Sequence, residues 1–342
     1  MKLTHLRDFM AVVETGSLRA AARHIGIAQP VITRSIRELE NELGVTFFER
    51  HAKGARLTPM GDCFARRVGT TQQELRRACE EISQMKGQDV GEVAVALSTA
   101  TCMSLLPTAL TAFARRYPKG IVKISESLFQ PIEKDVASGR IDFWIGPLNQ
   151  SEASTQFAIE KLLNNHRRII ARRGHPLQHA RTLAELDGAG WVRPTLSTRN
   201  TEGDFNEIFA RAGLPAPRIA VHARSSLVTM LTVAHTELLT VLPQQWVDFT
   251  PFAALIEPIK GIDPVAAAPM CIVRGQGLPL TPMAEHFCDL MRKAAHNYAR
   301  ANADPEQEAL SSLTEERSPR LDRYDAGIRA SGHTSATLVA GC

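Results

Sequence analysis

The sequence predicts a mainly-α winged helix-turn-helix over residues 1–58, a long helix over 59–88, and an α/β domain with a mostly parallel sheet over 91–300. Three observations lead there. Apolar residues near the N-terminus recur at helical spacing and are interrupted at Gly16 and Gly26, which implies a helix-turn-helix motif at 18–37. Two short extended runs flank Lys53-Gly54, the pattern of a β-hairpin. Beyond Gly87-Gln88-Asp89-Val90-Gly91, strand-like apolar runs alternate with helical ones, the signature of an α/β sheet.

Each element has its own signal. Leu6, Phe9, Met10 and Val13 form the stripe of the first helix, which Thr15-Gly16 ends. Ser17 stands where an N-cap belongs, ahead of the Ala-rich Leu18–Ile25. Ala22 is small where two helices cross, and Ile25 and Ile27 can plug the core beside the turn. The next helix starts at Gln29-Pro30, where a first-turn N–H has no intrahelical partner and proline is tolerated. Ile32, Ile36, Leu39 and Leu43 are expected on its buried face.

The opposite face carries Gln29, Thr33 and Arg37, with Pro30 and Arg34 beside them. It is polar and basic, and its length suits a major groove. There Gln29 can pair bidentately with adenine, Arg34 or Arg37 with guanine or phosphate, and Thr33 can reach a phosphate or a thymine methyl. Ser17 and Arg19 at a helix N-terminus make a phosphate site. Arg50, Lys53 and Arg56 on the hairpin suit phosphate or a narrow minor groove. The competing readings are a solvated polar helix face and, for Arg50, a structural pairing with an acid.

From Thr58-Pro59 to Lys86 a mixed-charge helix carries Val68, Leu75, Cys79 and Ile82 as a partial apolar stripe, which reads as a dimerisation arm. In the α/β part, strands are expected at 93–97, 121–124, 141–146, 168–171 and 271–273. Helices are expected at 103–117, 132–138, after Asp204 and at 282–298. Residues 301–342 lack apolar periodicity, carry a net charge of −3 and read as a disordered tail.

Composition narrows the function. With 44% apolar and 22% charged residues, the 342-residue chain is globular rather than disordered, and two or three domains fit its length. No run of about 18 apolar residues occurs, so no membrane partner is expected. Charges at Lys2, Arg7 and Asp8 sit where a signal core would be apolar, which points to a cytoplasmic protein. The net charge of +4 permits nucleic-acid binding without demanding it. Residues 1–60 hold only +3, so one head would bind weakly and heads must act in pairs. Six cysteines show neither C-x-x-C spacing nor histidine partners, so neither a metal nor another cofactor is expected. A redox-sensing or ligand-independent DNA-binding protein is the alternative. No nucleophile elbow, phosphate-binding loop or H-E-x-x-H motif marks an enzyme.

The runs Leu18-Arg19-Ala20-Ala21-Ala22-Arg23, Ala28-Gln29-Pro30-Val31-Ile32-Thr33-Arg34-Ser35-Ile36 and Leu39-Glu40-Asn41-Glu42-Leu43-Gly44-Val45 resemble the LysR-type transcriptional regulators. Phe48-Glu49-Arg50 and Leu57-Thr58-Pro59-Met60-Gly61 continue the resemblance. Leu105-Leu106-Pro107, Ser138-Gly139-Arg140-Ile141-Asp142 and Gly174-His175-Pro176-Leu177 follow in family order, and the likeness spans about residues 1–300. It implies a linker helix that pairs two subunits, in a homodimer or homotetramer. It also implies an effector domain of two Rossmann-like lobes, similar to type 2 periplasmic binding proteins. Lobe I would be 91–160 with 265–300, and lobe II 161–264, crossed near Glu160 and Pro264. The implied partners are double-stranded DNA with a dyad-symmetric operator, a small-molecule effector and RNA polymerase. Where the family often has a Gly-x-Gly turn, this chain has His235-Thr236-Glu237-Leu238, a variant suggestive of regulators of aromatic or sugar-acid catabolism.

For the effector, Ser98, Thr99 and Thr101 follow the first strand of the sheet and precede a helix, a place where hydroxyls and free N–H groups can meet an anion such as a carboxylate. Plain N-capping by Thr101 or Ser104 is the competing reading. Phe129 and Gln130 are expected to wall the same cleft, and Thr195 and Ser197 to close on it from lobe II. Arg193 or His222 could balance the carboxylate.

Overall fold

The computed structural model describes residues 1–51, 54–149, 154–194 and 201–302. At the N-terminus, α1 (Leu3–Thr15), α2 (Leu18–Ile25) and α3 (Gln29–Leu43) precede the hairpin β1 (Phe48–His51) and β2 (Gly54–Leu57). Ser17 caps α2 by accepting from the Ala20 N–H at 3.1 Å. Phe9, Val12, Ala21, Ala22, Ile32, Ile36 and Leu39 close one apolar core. Leu43 does not join it. It is 44% exposed, because Gly44 ends α3 at a positive φ and turns the chain before the core reaches that far. The hairpin docks on the α1–α2 turn, where Ala55 N–H donates to Gly16 O at 2.8 Å. Any side chain at Gly54 would meet that same carbonyl.

The long helix α4 (Pro59–Met85) starts with Thr58 capping Gly61 at 3.0 Å. Phe64 of α4 stacks on Phe47 at 4.7 Å, and Phe9 meets both edge-on. The contact is close enough that a Cβ on Gly61 would sit 2.3 Å from Phe47 O. Because that neighbour is backbone, Gly61→Ala is expected to destabilise the head by about 1–3 kcal/mol. Thermal unfolding of the variant checks it.

The α/β part begins with β3 (Glu92–Leu97), α5 (Thr99–Ser104), α6 (Leu106–Arg116), β4 (Ile121–Glu126), α7 (Phe129–Ala137) and β5 (Phe143–Pro147). The single helix expected over 103–117 is two, broken at Leu105, with Pro107 in the first turn of the second. Next come β6 (Phe157–Arg172), β7 (Gly190–Pro194), α8 (Thr201–Arg211), β8 (Arg218–Ala223), α9 (Ser226–Ala234) and β9 (Thr240–Pro243). The chain continues through α10 (Gln245–Asp248), α11 (Thr250–Ala253), β10 (Ile256–Pro258), β11 (Val265–Gly275) and α12 (Pro282–Ala301). The expected tail falls on 303–342, outside the described residues, apart from its first two positions.

The main sheet runs β10-β6-β11-β5-β3-β4, with β9 also on β6, while β7 and β8 pair separately. It is mixed rather than mostly parallel. β3 pairs in parallel with β4 and β5, but β6 and β11 form a long antiparallel ladder between the two halves of the domain. The ladder carries a bulge between Ala267 and Met270, and past Arg167 β6 pairs with β9 and β10. One core packs α12 on β3 and β5 through Phe113, Phe143, Phe287 and Met291. A second packs Trp191, Phe205 and Phe209 against Ile169 and Leu239. The glycine-free turn after α9 is held by Thr236, whose hydroxyl donates to Thr232 O at 2.7 Å and accepts from Leu238 N–H at 3.2 Å.

The C-terminal half of α4 is fastened to the first of these lobes. Arg77, 5% exposed, donates to Asp142 Oδ1 at 2.6 Å and to Gly139 O, while Asp142 Oδ2 accepts from the Ala94 N–H at 2.7 Å. Gln84 Oε1 accepts from Met283 N–H at 3.0 Å and so caps α12. Elsewhere α4 leaves Met60, Leu75, Ile82 and Met85 exposed. Among the described residues, no helix is long and apolar enough to cross a membrane.

Candidate DNA-binding face and ligand cleft

The outer face of α3 presents Gln29, Pro30, Arg34 and Arg37 to solvent, with Thr33 half-buried between them. Thr33 hydroxyl donates to Gln29 O at 3.0 Å. Arg34 Nε donates to Glu38 Oε1 at 2.7 Å, and that hydrogen bond holds the Glu38 carboxyl below its ordinary range. To reach a base, Arg34 must therefore let go of Glu38. This restraint was readable in the i, i+4 spacing but is absent from the expectations. Arg19 and Arg56 are exposed on the same end of the molecule's chain order, Arg56 lying opposite Glu49 in the hairpin register. Ser17 already spends its oxygen on Ala20. Arg50 lies on β1, but its side chain, like Lys53 altogether, is outside the described residues.

The ligand cleft lies where the carboxyl ends of β3 and β5 face β6, β7 and β9, and its cavity volume is about 110 Å³. Ser98, Thr99 and Leu128 line one side; Arg193, Pro194 and Phe205 the other; Val241, Leu242, Trp246 and Met270 make it apolar; Asn165 and Arg167 come from the crossing strand β6. Arg167 and Arg193 both already engage protein groups, and Arg193 also lies 5.9 Å above the Phe205 ring.

The expected residues divide here. Ser98 and Thr99 line the cleft, but Thr101 does not. It is fully buried, donates to Ile145 O at 3.1 Å and pairs with Ser98 at 2.9 Å, while the N-cap of α5 is Ser98 rather than Thr101 or Ser104. Thr99 hydroxyl is bonded to the Glu126 carboxylate and lies 2.8 Å from Ser226 Oγ, which in turn donates to Glu126 at 3.0 Å. The anion expected at Thr99 is thus met by the protein's own carboxylate, which also clasps α9 to the first lobe. Phe129 packs on Trp144 and Phe157 in the core, and Gln130 is exposed. Leu128, one residue earlier, reaches the cleft instead. His222 is exposed on β8, away from the lining. Thr195 and Ser197 lie outside the described residues. Asn165 and Arg167, brought to the site by long-range strand pairing, and Trp246 on α10 were not foreseen.

Half-buried Cys102 and buried Cys288 hold their protons. Burial, with Glu126 adding to it, pushes Cys102 up to about 11, and burial pushes Cys288 up to about 12. A redox sensor needs the opposite shift.

A helix-turn-helix with a hairpin wing, joined to a two-lobed α/β domain around a cleft, defines a DNA-binding transcription regulator with a ligand-binding domain. Residues 3–62 match the family model of the bacterial regulatory helix-turn-helix protein, lysR family, and residues 86–296 match that of the LysR substrate binding domain. The chain belongs to the LysR family of transcriptional regulators, which are not enzymes. It is 27% identical over 244 residues to the HTH-type transcriptional regulator GbpR of Azospirillum brasilense, covering 70% of this chain and 71% of that one. It is 30% identical over 177 residues to PcaQ of Agrobacterium fabrum, covering 52% and 57%. Full-length CbnR complexed with its target DNA has the same fold, with a TM-score of 0.60 at 20% identity, covering 86% of this chain and all of that one. LysG from Corynebacterium glutamicum with bound effector Arg has a TM-score of 0.59 at 14% identity, covering 87% and 99%.

Proposed function

We propose that the chain pairs with further copies of itself, binds a dyad-symmetric operator through α3 and the hairpin, and is controlled by a small carboxylate held in the cleft. The observation that carries the DNA contact is the outward row of Gln29, Arg34 and Arg37 on a helix whose other face is sealed in a core. The solved DNA complex of a protein with this fold supports it. The carboxylate reading rests on Arg167 and Arg193 lining a mostly apolar cleft, and a relative in fold that carries a bound effector supports the site. An aromatic or sugar-derived body suits the walls of Trp246, Phe205 and Leu242. Ligand binding shifts the population between lobe arrangements, α4 carries the change to the heads, and RNA polymerase in the cytoplasm is the recipient.

Arg34→Ala is expected to weaken operator binding by about 1–3 kcal/mol while leaving fold and assembly intact. Gel-shift titration of an operator duplex measures it, and unchanged affinity would remove α3 from the interface.

A further inference from the structure

Asn165 lines the cleft with one polar atom unmet. It lies on β6 beside the bulge of the crossing ladder and is 4% exposed. Its Nδ2 donates to Ala268 O at 3.2 Å. A carbonyl can only accept, so this bond fixes which end of the amide is nitrogen. The other end, Oδ1, is buried and meets no donor among the described residues. A buried acceptor left this way is costly, and a donor carried by a bound molecule is what completes it.

We infer that the cleft selects hydroxy-carboxylates: the acid end faces Arg167 and Arg193, and a hydroxyl on the same molecule donates to Asn165 Oδ1. This rests on the carboxylate reading above. A hydroxyl is favoured over an ammonium because two guanidinium groups line the cleft, and no acidic side chain does among the described residues. A site built to receive a hydroxyl rejects the analogue that lacks it far more strongly than an apolar pocket rejects a wrong methylene.

The test uses the full-length protein and calorimetric titration with matched acids: benzoate against 4-hydroxybenzoate, hexanoate against gluconate, and propanoate against lactate. The hydroxylated member of at least one pair is expected to bind at least tenfold tighter than its partner. In Asn165→Leu that preference should vanish, circular dichroism confirming the fold. Acids that bind without preference for the hydroxyl, or a preference that survives Asn165→Leu, overturn the inference and leave the carboxylate reading standing. Binding that is untouched in Arg193→Met, or no binding by any acid of the set, overturns the carboxylate reading and the inference with it. Because the pairwise preference is read on the unaltered protein, the test does not depend on the variant folding.

Discussion

Arg77→Met is expected to destabilise the protein by about 3–5 kcal/mol, because it strands the Asp142 carboxylate in a buried site. The pair is 5% and 7% exposed, and Asp142 also holds the Ala94 N–H at the start of β3. Replacing both partners, as in Arg77→Met with Asp142→Leu, should recover much of the loss, since neither charge is then buried alone. The variant also carries a pH signature. Burial pushes the Asp142 carboxyl above its ordinary value, against the pull of Arg77 and the Ala94 N–H. Without Arg77 it rises further. A carboxyl with a raised folded pKa binds more protons folded than unfolded, so stability is lost as pH rises from the unfolded value through the folded one. The gap between variant and parent should therefore be smallest in acid and widen as pH climbs. Melting temperatures of both from about pH 4 to pH 8 measure it. A gap independent of pH would mean that Asp142 is not the group left exposed to the loss.

The second large effect is on assembly. Leu75 of α4 is 49% exposed and, with Leu3 and Leu6 of α1, lines an apolar groove of the kind that receives a partner helix. Leu75→Glu is expected to dissociate the oligomer and to weaken operator binding by roughly 10²–10⁴-fold, the gain that linking two weak heads provides. A head of net charge +3 has little affinity to spare at physiological salt. Sedimentation velocity and gel shift read the two effects together. A variant that stays paired would place the subunit contact elsewhere.

What could be read from the sequence follows from the range of the interactions that make each element. Ser17, Gly16, Gly26 and Pro30 act within a turn of where they stand, so the head was legible almost to the residue. Leu43 misled because its spacing fits the stripe while the chain end of α3 does not reach the core. The crossing strand β6 went unread before Arg168, because Leu163-Asn164-Asn165-His166-Arg167 shows no apolar alternation and is held as strand only by its pairing with β11. At the cleft a single residue of register separates Leu128, which lines it, from Phe129, which packs on Trp144. Thr99 and Thr101 look alike in sequence, yet only burial tells the group that faces outward from the one that ties α5 to β5.

The fastening of α4 to the first lobe has a mechanical consequence. A helix held at Arg77 and Gln84 is a lever with its fulcrum at the ligand-binding end. From Arg77 to Pro59 it is roughly 27 Å long at 1.5 Å per residue, so a swing of about 7° carries its far end about 3.4 Å, one base-pair step. If α4 moves with that lobe, a change too small to notice locally would reach the far end of the helix as a displacement of one base-pair step.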